Sequence, residues 1–175
     1  MTDKLQKPNI LITGTPGTGK STTSEMVAEL LGYNLINVGE IIKSEKLHDG
    51  HDAEFDTYWL NEDKVLDHLE PLLANGANIV DYHSCDFFPE RWFQLVVVLH
   101  TQTEKLYDRL VARNYNEKKI SENMQCEIMM VVADEARASY KEEIVVELDS
   151  NTVDDMENNV NFVSNWINTN YPQLE

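Results

Sequence analysis

The chain has 175 residues, 42% of them hydrophobic, which fits one globular domain with a sizeable core. Its 14 Lys and Arg residues stand against 31 Asp and Glu residues, for a formal net charge of −17. So acidic a surface repels free nucleic acid and anionic membranes, which argues against direct DNA binding and membrane attachment and favours a basic partner.

The first predicted unit is a strand, a glycine-rich loop and a helix. Residues 9–13 (NILIT) form a short apolar run typical of a buried strand. Residues 14–21 (GTPGTGKS) match G-x-x-x-x-G-K-[ST], the phosphate-binding P-loop. A helix is predicted over 20–31, with Gly32 as its stop. Its inward face is expected to carry Met26, Val27, Leu30 and Leu31.

The P-loop predicts a nucleoside triphosphate site. Its glycines let backbone N–H groups turn towards phosphate oxygens, and the dipole of the following helix favours the same anion. Lys20 is expected along the β- and γ-phosphates, and the Ser21 hydroxyl is expected on Mg²⁺. The predicted ligand of the loop is therefore a nucleoside triphosphate with Mg²⁺.

The elements that follow are less regular. A second strand is predicted over 33–38 and a short helix over 40–46. The connector 47–58 is rich in acidic residues and histidines and is too polar to be core. Helical spacing resumes at Leu60, and Pro71 is expected to kink or end that helix.

Two further strands enclose a second chemical motif. The third strand covers 77–80 and leads into Asp81, where P-loop proteins place a carboxylate that binds Mg²⁺ directly or through water. A helix-capping role for Asp81 is the alternative. His83 could face the same cleft and position a water or contact a phosphate, or it could be a buried structural histidine. The fourth strand covers 94–100 and is apolar enough to be buried on both faces.

The remaining elements complete an alternating pattern. Thr103 is expected to cap a helix, and the polar stretch 113–119 follows it. A long helix is predicted over 121–140, then a fifth strand over 144–148 and a closing helix. The inward residues of the long helix are expected to be Met124, Ile128, Val131, Val132 and Ala136.

Alternating strands and helices predict an α/β fold, a doubly wound parallel five-stranded sheet with helices on both faces, in a single domain over 1–175. Ligands of such sheets bind beyond the C-terminal strand ends, where the P-loop lies. Cys85 and Cys126 have no paired spacing, which predicts free thiols in a reducing compartment. No signal-peptide pattern or apolar run of ~20 residues is visible, so a soluble intracellular protein is expected.

The size of the chain and its inserts narrow the class of P-loop protein. A GTPase needs an N-K-x-D motif at a strand end, whereas the string at 116–119 (NEKK) has the wrong order and follows no strand. Motors and helicases are usually larger. A polar insert after the second strand and an Arg-containing stretch after the fourth favour a P-loop nucleoside monophosphate kinase, with a small monophosphate-binding insert and a short lid.

Short motifs along the whole chain carry a resemblance to a known family. They are 13–22 (TGTPGTGKST), 36–39 (INVG), 49–50 (DG), 80–83 (VDYH), 86–92 (DFFPERW), 115–119 (YNEKK) and 138–143 (ASYKEE). In this order and combination they resemble the adenylate kinase isoenzyme 6 family of nuclear adenylate kinases and ATPases. The P-loop alone would not select this family, but its combination with 80–83 and 86–92 does.

The resemblance implies transfer of phosphate from ATP to AMP, and also to CMP or dAMP, with slow ATP hydrolysis. It implies a role in maturation of the small ribosomal subunit, a basic small-subunit ribosomal protein as partner, and residence in nucleus and cytoplasm. We expect a monomer.

The resemblance also assigns positions. Residues 37–60 match the monophosphate-binding segment and 112–122 the lid, in which Arg113 contacts the nucleotide. Asp81 and His83 match the pair associated with ATPase function. The positions that match ATP-binding residues are Gly17, Thr18, Gly19, Lys20, Ser21 and Thr22.

Departures from the family pattern predict a slow kinase. Lys43 stands where some relatives carry an Arg, and a lysine cannot grip the acceptor phosphate with a bidentate fork. The lid is short and has few arginines, although arginine can contribute ~10³–10⁵ in the rate of phosphoryl transfer.

Two functions are therefore weighed. In a kinase the acceptor phosphate is already an anionic nucleophile, so positioning and charge neutralisation suffice. The groups expected to neutralise the transferring phosphoryl are Lys20, Mg²⁺ on Ser21, Arg113 and Arg109. The acceptor is expected to meet Gly39, Lys43 and Arg91. In the alternative, an ATP-hydrolysing assembly switch, AMP is incidental and the acidic C-terminal tail docks a basic ribosomal protein, although that tail equally serves solubility.

Overall fold

The computed structural model describes residues 7–172. Five parallel strands form a sheet in the order β2-β5-β1-β6-β7, and β3 and β4 form a separate antiparallel hairpin. The strands are β1 (Asn9–Gly14), β2 (Asn34–Asn37), β3 (His48–Asp52), β4 (Thr57–Leu60), β5 (Asn78–Asp81), β6 (Leu95–His100) and β7 (Val145–Asp149). The helices are α1 (Lys20–Leu31), α2 (Val38–Ser44), α3 (Glu62–Leu73), α4 (Thr103–Ala112), α5 (Glu117–Ile128), α6 (Val131–Ser139) and α7 (Val153–Asn170).

The sheet is doubly wound, as predicted. Strand β1 lies at its centre, with Ile10 opposite Ile79 on one side and Leu95 on the other. All six residues of β1 are buried, because helices cover both faces. The side chains of α1 and α7 pack on one face, and those of α3 and α6 pack on the other. The P-loop and Asp81 consequently emerge at the same edge, since Ile12 and Asp81 are paired in register.

Helix α1 has the predicted bounds but buries a different face. Met26 and Leu30 are 36% and 58% exposed, so their predicted inward placement is wrong. The buried residues of α1 are Lys20, Thr23, Ser24, Val27 and Ala28. The helix packs on β5 and α7, and the stripe that faces them begins with the small Thr23 and Ser24, which an apolar pattern does not reveal.

The polar connector contains the β3–β4 hairpin, which the sequence did not predict. As expected, it lies outside the core, with residues that alternate between half-buried and exposed. Its strands are held by ring contacts, such as His48 on Tyr58 with centroids 4.4 Å apart, and by Trp59 lying over Gly50. These aromatic contacts take the place of the aliphatic alternation that usually marks a strand.

The long predicted helix is two helices. Helix α5 begins earlier than expected, at Glu117, because the Asn116 side chain accepts a hydrogen bond from Lys119 N at 2.8 Å. Met130 adopts a left-handed conformation (φ 55°) and separates α5 from α6. Ile128 is therefore 61% exposed and Val131 38% exposed, which corrects their predicted inward placement.

The structure also shows the helix boundaries and the state of the cysteines. Gln102, and not Thr103, precedes α4 as its cap residue, without a side-chain bond. Pro71 is accommodated inside α3. Both cysteines are free thiols, as predicted. Across residues 7–172, no helix combines the length and the apolarity that a membrane crossing requires.

Candidate active site

A cavity of about 580 Å³ opens at the C-terminal edge of the sheet, and we call it the cleft. Its walls come from the P-loop, α2, the β3–β4 hairpin, the end of β5 and the lid segment before and within α5. The residues of the sequence-based site that line it are Lys20, Ser21, Gly39, Lys43, Asp81, His83 and Arg113. Segments far apart in the sequence thus meet in one cleft.

The P-loop is held in shape by close backbone contacts. A Cβ on Gly14 (φ 150°) would lie 2.7 Å from the Leu99 carbonyl oxygen, and one on Gly17 (φ 97°) would lie 2.8 Å from Leu106 Cδ1. Only glycine fits such contacts at positive φ. The Thr18 hydroxyl donates to the Thr15 carbonyl at 2.8 Å and closes the turn from inside. The loop is therefore preformed for an anion.

Lys20 lies at the floor of the cleft, only 9% exposed. Its Nζ donates to the Thr15 carbonyl at 3.2 Å. Burial lowers the pKa of Lys20 to about 8, and nearby Asp81 counteracts part of that effect. The group remains charged at pH 7 and can exchange the carbonyl for a phosphate oxygen. Thr22, two residues further along α1, is exposed.

Ser21 and Asp81 come together as predicted for a magnesium site. The Ser21 hydroxyl donates to Asp81 Oδ2 at 2.8 Å, and Asp81 is 4% exposed. Burial raises the pKa of Asp81, while Lys20 and the Ser21 hydrogen bond lower it. One hydroxyl and one carboxylate oxygen, with room beside them in the cleft, suit Mg²⁺, which keeps several waters and takes phosphate oxygens as further ligands. Within residues 7–172 no cluster of three or more acidic, His or Cys groups forms a complete protein cage for a metal.

His83 lies on the cleft wall, two residues beyond Asp81. Its ring stacks at an angle on Tyr82, with centroids 4.4 Å apart. Surrounding protein, then the charges of Lys20 and Lys119, lower the pKa of His83 to about 4. The ring is nevertheless open to the water of the cleft, so the structure does not place it as a buried structural histidine. A neutral imidazole at pH 7 can accept a proton or orient a water.

The hairpin and α2 form a further part of the cleft wall. Gly39 and Lys43 lie there, and Lys43 Nζ is 5.8 Å from the centroid of the Tyr58 ring. Cleft residues that the sequence analysis did not single out include Asn37, His51, Phe55, Tyr58, Tyr115, Lys119 and Asn123. Two of them, Phe55 and Tyr58, are aromatic residues within the acidic connector 47–58, and this unusual composition could have indicated a binding role for the connector.

Arg91 does not join this site. Its guanidinium pairs with Glu70 at 2.6 Å, and it borders a separate hollow with Lys141 and Trp166. The segment 90–92 is a 3₁₀ turn that precedes β6, at the opposite end of the strand from the P-loop. This placement contradicts the prediction that Arg91 holds the acceptor phosphate.

Arg109 lies behind the P-loop and outside the cleft. Its Nη1 donates to the carbonyls of Gly17 at 3.2 Å and Ser150 at 2.9 Å, and its Nη2 donates to the Asn151 carbonyl at 3.1 Å. These contacts brace the loop and correct the expectation that Arg109 neutralises the transferring group. Arg113, by contrast, faces the cleft, with Nη1 3.4 Å from the Tyr115 hydroxyl.

The lid and the hairpin touch each other across the mouth of the cleft. Asn116 Nδ2 donates to the Glu54 carbonyl at 3.2 Å, and Lys118 pairs with the Glu54 carboxylate. Lys119 Nζ donates to the Asp56 carbonyl at 2.6 Å and lies 4.2 Å from the centroid of the Tyr115 ring. We refer to these contacts of residues 54–56 with 116–119 as the lid–hairpin contact. They join the lid to the hairpin beside the cleft.

Comparison with known proteins gives one family match and several relatives that share one name. A family described as AAA domain matches residues 10–130. The adenylate kinase isoenzyme 6 homolog of Dictyostelium discoideum is 54% identical over 171 residues, which is 98% of each chain. The adenylate kinase isoenzyme 6 homolog of Drosophila melanogaster is 51% identical over 160 residues, 91% of each chain.

Solved structures agree on the fold. Shikimate kinase from Acinetobacter baumannii, in complex with shikimate, superposes with a TM-score of 0.65 at 16% identity, over 97% of each chain. At that identity the likeness concerns the arrangement of sheet and helices alone. It agrees with the doubly wound parallel sheet described above.

Proposed function

The chain belongs to the adenylate kinase isoenzyme 6 family, and we propose that it transfers the γ-phosphate of Mg·ATP to AMP, with CMP and dAMP as further acceptors. An oxygen of the acceptor phosphate attacks the γ-phosphorus, the bond from that phosphorus to the β–γ bridging oxygen breaks, and two ADP result. The observation that carries the proposal is the single cleft, with the P-loop, Ser21 and Asp81 at one end and Gly39 and Lys43 at the other.

The chain's own residues supply position and charge. Lys20 leaves the Thr15 carbonyl for the β- and γ-phosphates, and Arg113 approaches from the lid. When bound on Ser21 and Asp81, Mg²⁺ would neutralise charge on the phosphates. The attacking oxygen is already anionic, so no side chain needs to act as general base.

The number and type of cationic side chains in the cleft determine the expected rate of phosphoryl transfer. The Lys and Arg residues that line it are Lys20, Lys43, Arg113 and Lys119. Only one of the four is an arginine, although two nucleotides bring many negative phosphate oxygens together. A shortage of bidentate donors favours a slow phosphotransferase.

One assay tests the proposal. ADP formation from Mg·ATP is measured with and without AMP, in wild type, Lys20→Ala and the control Lys64→Ala on the exposed face of α3. The proposal expects stimulation by AMP in wild type and in the control, and loss of at least ~10²-fold in Lys20→Ala. Equal ADP formation with and without AMP would overturn it.

We propose slow ATP hydrolysis as a second activity of the same site. It is supported by His83, a neutral imidazole open to the cleft water and close in sequence to Asp81. If His83 positions the water, His83→Ala loses hydrolysis in the absence of AMP and retains transfer to AMP. Equal loss of both activities would contradict that role.

We further propose that ATP turnover is linked to a basic small-subunit ribosomal protein, in nucleus and cytoplasm, as in an assembly switch. The support is the net charge of −17, which favours a basic partner through electrostatic steering. A pull-down with small-subunit ribosomal proteins at low and high salt tests this step, and absence of binding at both salt concentrations would contradict it. Imaging of a fluorescent fusion checks the compartments.

A further inference from the structure

Glu127 on α5 is a buried carboxylate that the reaction described above does not use. Its side chain is 8% exposed. Oε2 accepts a hydrogen bond from Thr101 N at 3.0 Å, and Oε1 lies 3.4 Å from the Thr15 hydroxyl and 3.3 Å from His100 Nδ1. A buried carboxylate is costly unless such partners satisfy it, and packing alone would be served by an apolar residue.

The partners of Glu127 belong to the donor site. Thr15 is a residue of the P-loop, and its carbonyl oxygen is the acceptor for both Lys20 Nζ and the Thr18 hydroxyl. His100 ends β6, the strand beside β1 in the sheet, and Thr101 follows it. The carboxylate therefore fixes the residue on which the resting position of the phosphate-binding lysine depends.

The position of Glu127 in the chain adds a second link. Helix α5 starts at Glu117 in the lid, next to Asn116 and Lys118, which hold the hairpin. The same helix carries Glu127, near its other end, to the back of the P-loop. The lid contacts and the contact with Thr15 therefore lie on one continuous helix, through which a change at the lid can reach the P-loop.

Charged groups surround Glu127 on several sides. His100 lies between two carboxylates, with Nδ1 facing Glu127 and Nε2 2.8 Å from Glu147, which is itself paired with Arg137. Lys20 is near enough to interact electrostatically with Glu127. A carboxylate in this place therefore completes a polar chain from the protein surface to the P-loop.

We propose that Glu127 is a positioning residue that holds Thr15, and with it the P-loop, in the ATP-binding shape and makes the grip on ATP depend on the lid. For the kinase reaction the inference rests on the proposed function. Binding of ATP tests it separately, since affinity for the nucleotide needs no acceptor.

The first experiment compares Glu127→Gln with Glu157→Gln, an exposed glutamate on α7. The dissociation constant of a fluorescent ATP analogue is measured with KM for ATP and for AMP. Loss of the charged acceptor should weaken ATP binding at least about tenfold, leave KM for AMP within about twofold, and leave the control unchanged. Wild-type ATP affinity in Glu127→Gln would overturn the proposal. A wild-type chain that binds ATP but ignores AMP would instead refute the kinase proposal alone.

A second pair of variants guards against misfolding of Glu127→Gln. Thr15→Val removes the hydroxyl that faces the carboxylate, and Thr15→Ser keeps it. Weak ATP binding in Thr15→Val, restored in Thr15→Ser, supports the positioning role. Equal affinity in both variants contradicts it.

Dependence on the lid is tested by a double-mutant cycle of Glu127→Gln with Lys118→Ala. If α5 carries the coupling, the combined loss of ATP affinity should be smaller than the product of the separate losses. A combined loss equal to that product would show that the lid does not act through Glu127, and this part of the proposal would fall.

Discussion

The two ends of the cleft are built differently. At the donor end Lys20 and Asp81 are almost fully buried, and Gly14 and Gly17 have no space for a Cβ. At the acceptor end the hairpin is half-exposed, and its contact with the lid consists of surface ion pairs and hydrogen bonds, with Lys118 and Glu54 63% and 53% exposed. The first end is preformed, and the second is held by groups that water can replace.

This difference predicts how each end responds to change. Buried contacts that act in a low dielectric lose much when one partner is removed, whereas exposed ion pairs contribute ~1 kcal/mol or less. Substitutions at the donor end should therefore abolish activity. Substitution of Lys43 at the acceptor end should tune acceptor affinity and leave ATP binding intact, whereas substitution of Lys118 in the lid should also weaken ATP binding through α5 and Glu127.

The largest effect is expected for Asp81→Asn. The substitution keeps the shape of the side chain and removes the charge beside Ser21, so kcat should fall ~10²–10³-fold. Steady-state kinetics at saturating Mg²⁺ measures this, with Asp86→Asn on the following loop as control. A fall in kcat of less than about threefold would contradict the prediction that the buried donor end is more sensitive to substitution than the acceptor end.

A smaller effect is expected at Lys43. Lys43→Ala should raise KM for AMP ~10-fold, because a charge-assisted bond to the acceptor phosphate is lost, while KM for ATP stays within about twofold. Lys43→Arg should lower KM for AMP below the wild-type value by offering a bidentate fork. Steady-state kinetics gives KM for AMP and for ATP in both variants, with Lys64→Ala as control. An equal rise of the two KM values in Lys43→Ala would contradict a specific contact of Lys43 with the acceptor.

The contrast between the two ends also describes what the sequence could predict. The glycine loop, the strand before it and the bounds of α1 were predicted correctly, because the P-loop needs specific residues at fixed spacing and each acts through its neighbours in the chain. The parallel direction of the strands followed from the alternation of strands and helices, whereas the order of the strands in the sheet came from the structure.

The acceptor end could be predicted only in part. The resemblance placed Gly39 and Lys43 there, but Tyr58 and Lys119 reach the cleft through a hairpin and a lid contact between segments about 60 positions apart. Arg91 was assigned on sequence proximity to Asp81, and the strand order carries it to the other end of β6. The break at Met130 was missed because the apolar spacing continues across it.

The lid–hairpin contact should produce a modest effect. Lys118→Ala and Glu54→Gln should each raise KM for AMP less than about fivefold, and the double variant should be no worse than either one, because both remove the same ion pair. The effects should shrink in 0.5 M salt, as screening predicts. If the increases in KM for AMP are additive in the double variant and unchanged in 0.5 M salt, the two residues act independently of each other.

The smallest effect is expected in stability against pH. Hydrogen bonds from His100 to Glu127, and then to Glu147, raise the pKa of His100 above its ordinary value. The stabilisation is therefore complete below about pH 6.5, the unfolded value, and is lost as pH rises through the higher folded value. Denaturant unfolding should show a loss of up to about 1 kcal/mol over that window, absent in His100→Gln and kept in His68→Gln. If His100→Gln shows the same loss of unfolding free energy with rising pH as the wild type, the ion pairs of His100 are not its cause.

The kinase proposal requires one cleft to hold a donor and an acceptor nucleotide at the same time. Isothermal titration with a non-hydrolysable ATP analogue and AMP measures whether both bind together. We predict that AMP binds, one per chain, to the complex already saturated with the analogue, that Lys20→Ala loses the analogue and keeps AMP, and that Lys43→Ala keeps the analogue and binds AMP about tenfold more weakly. Competition between AMP and the analogue for a single site would contradict the account.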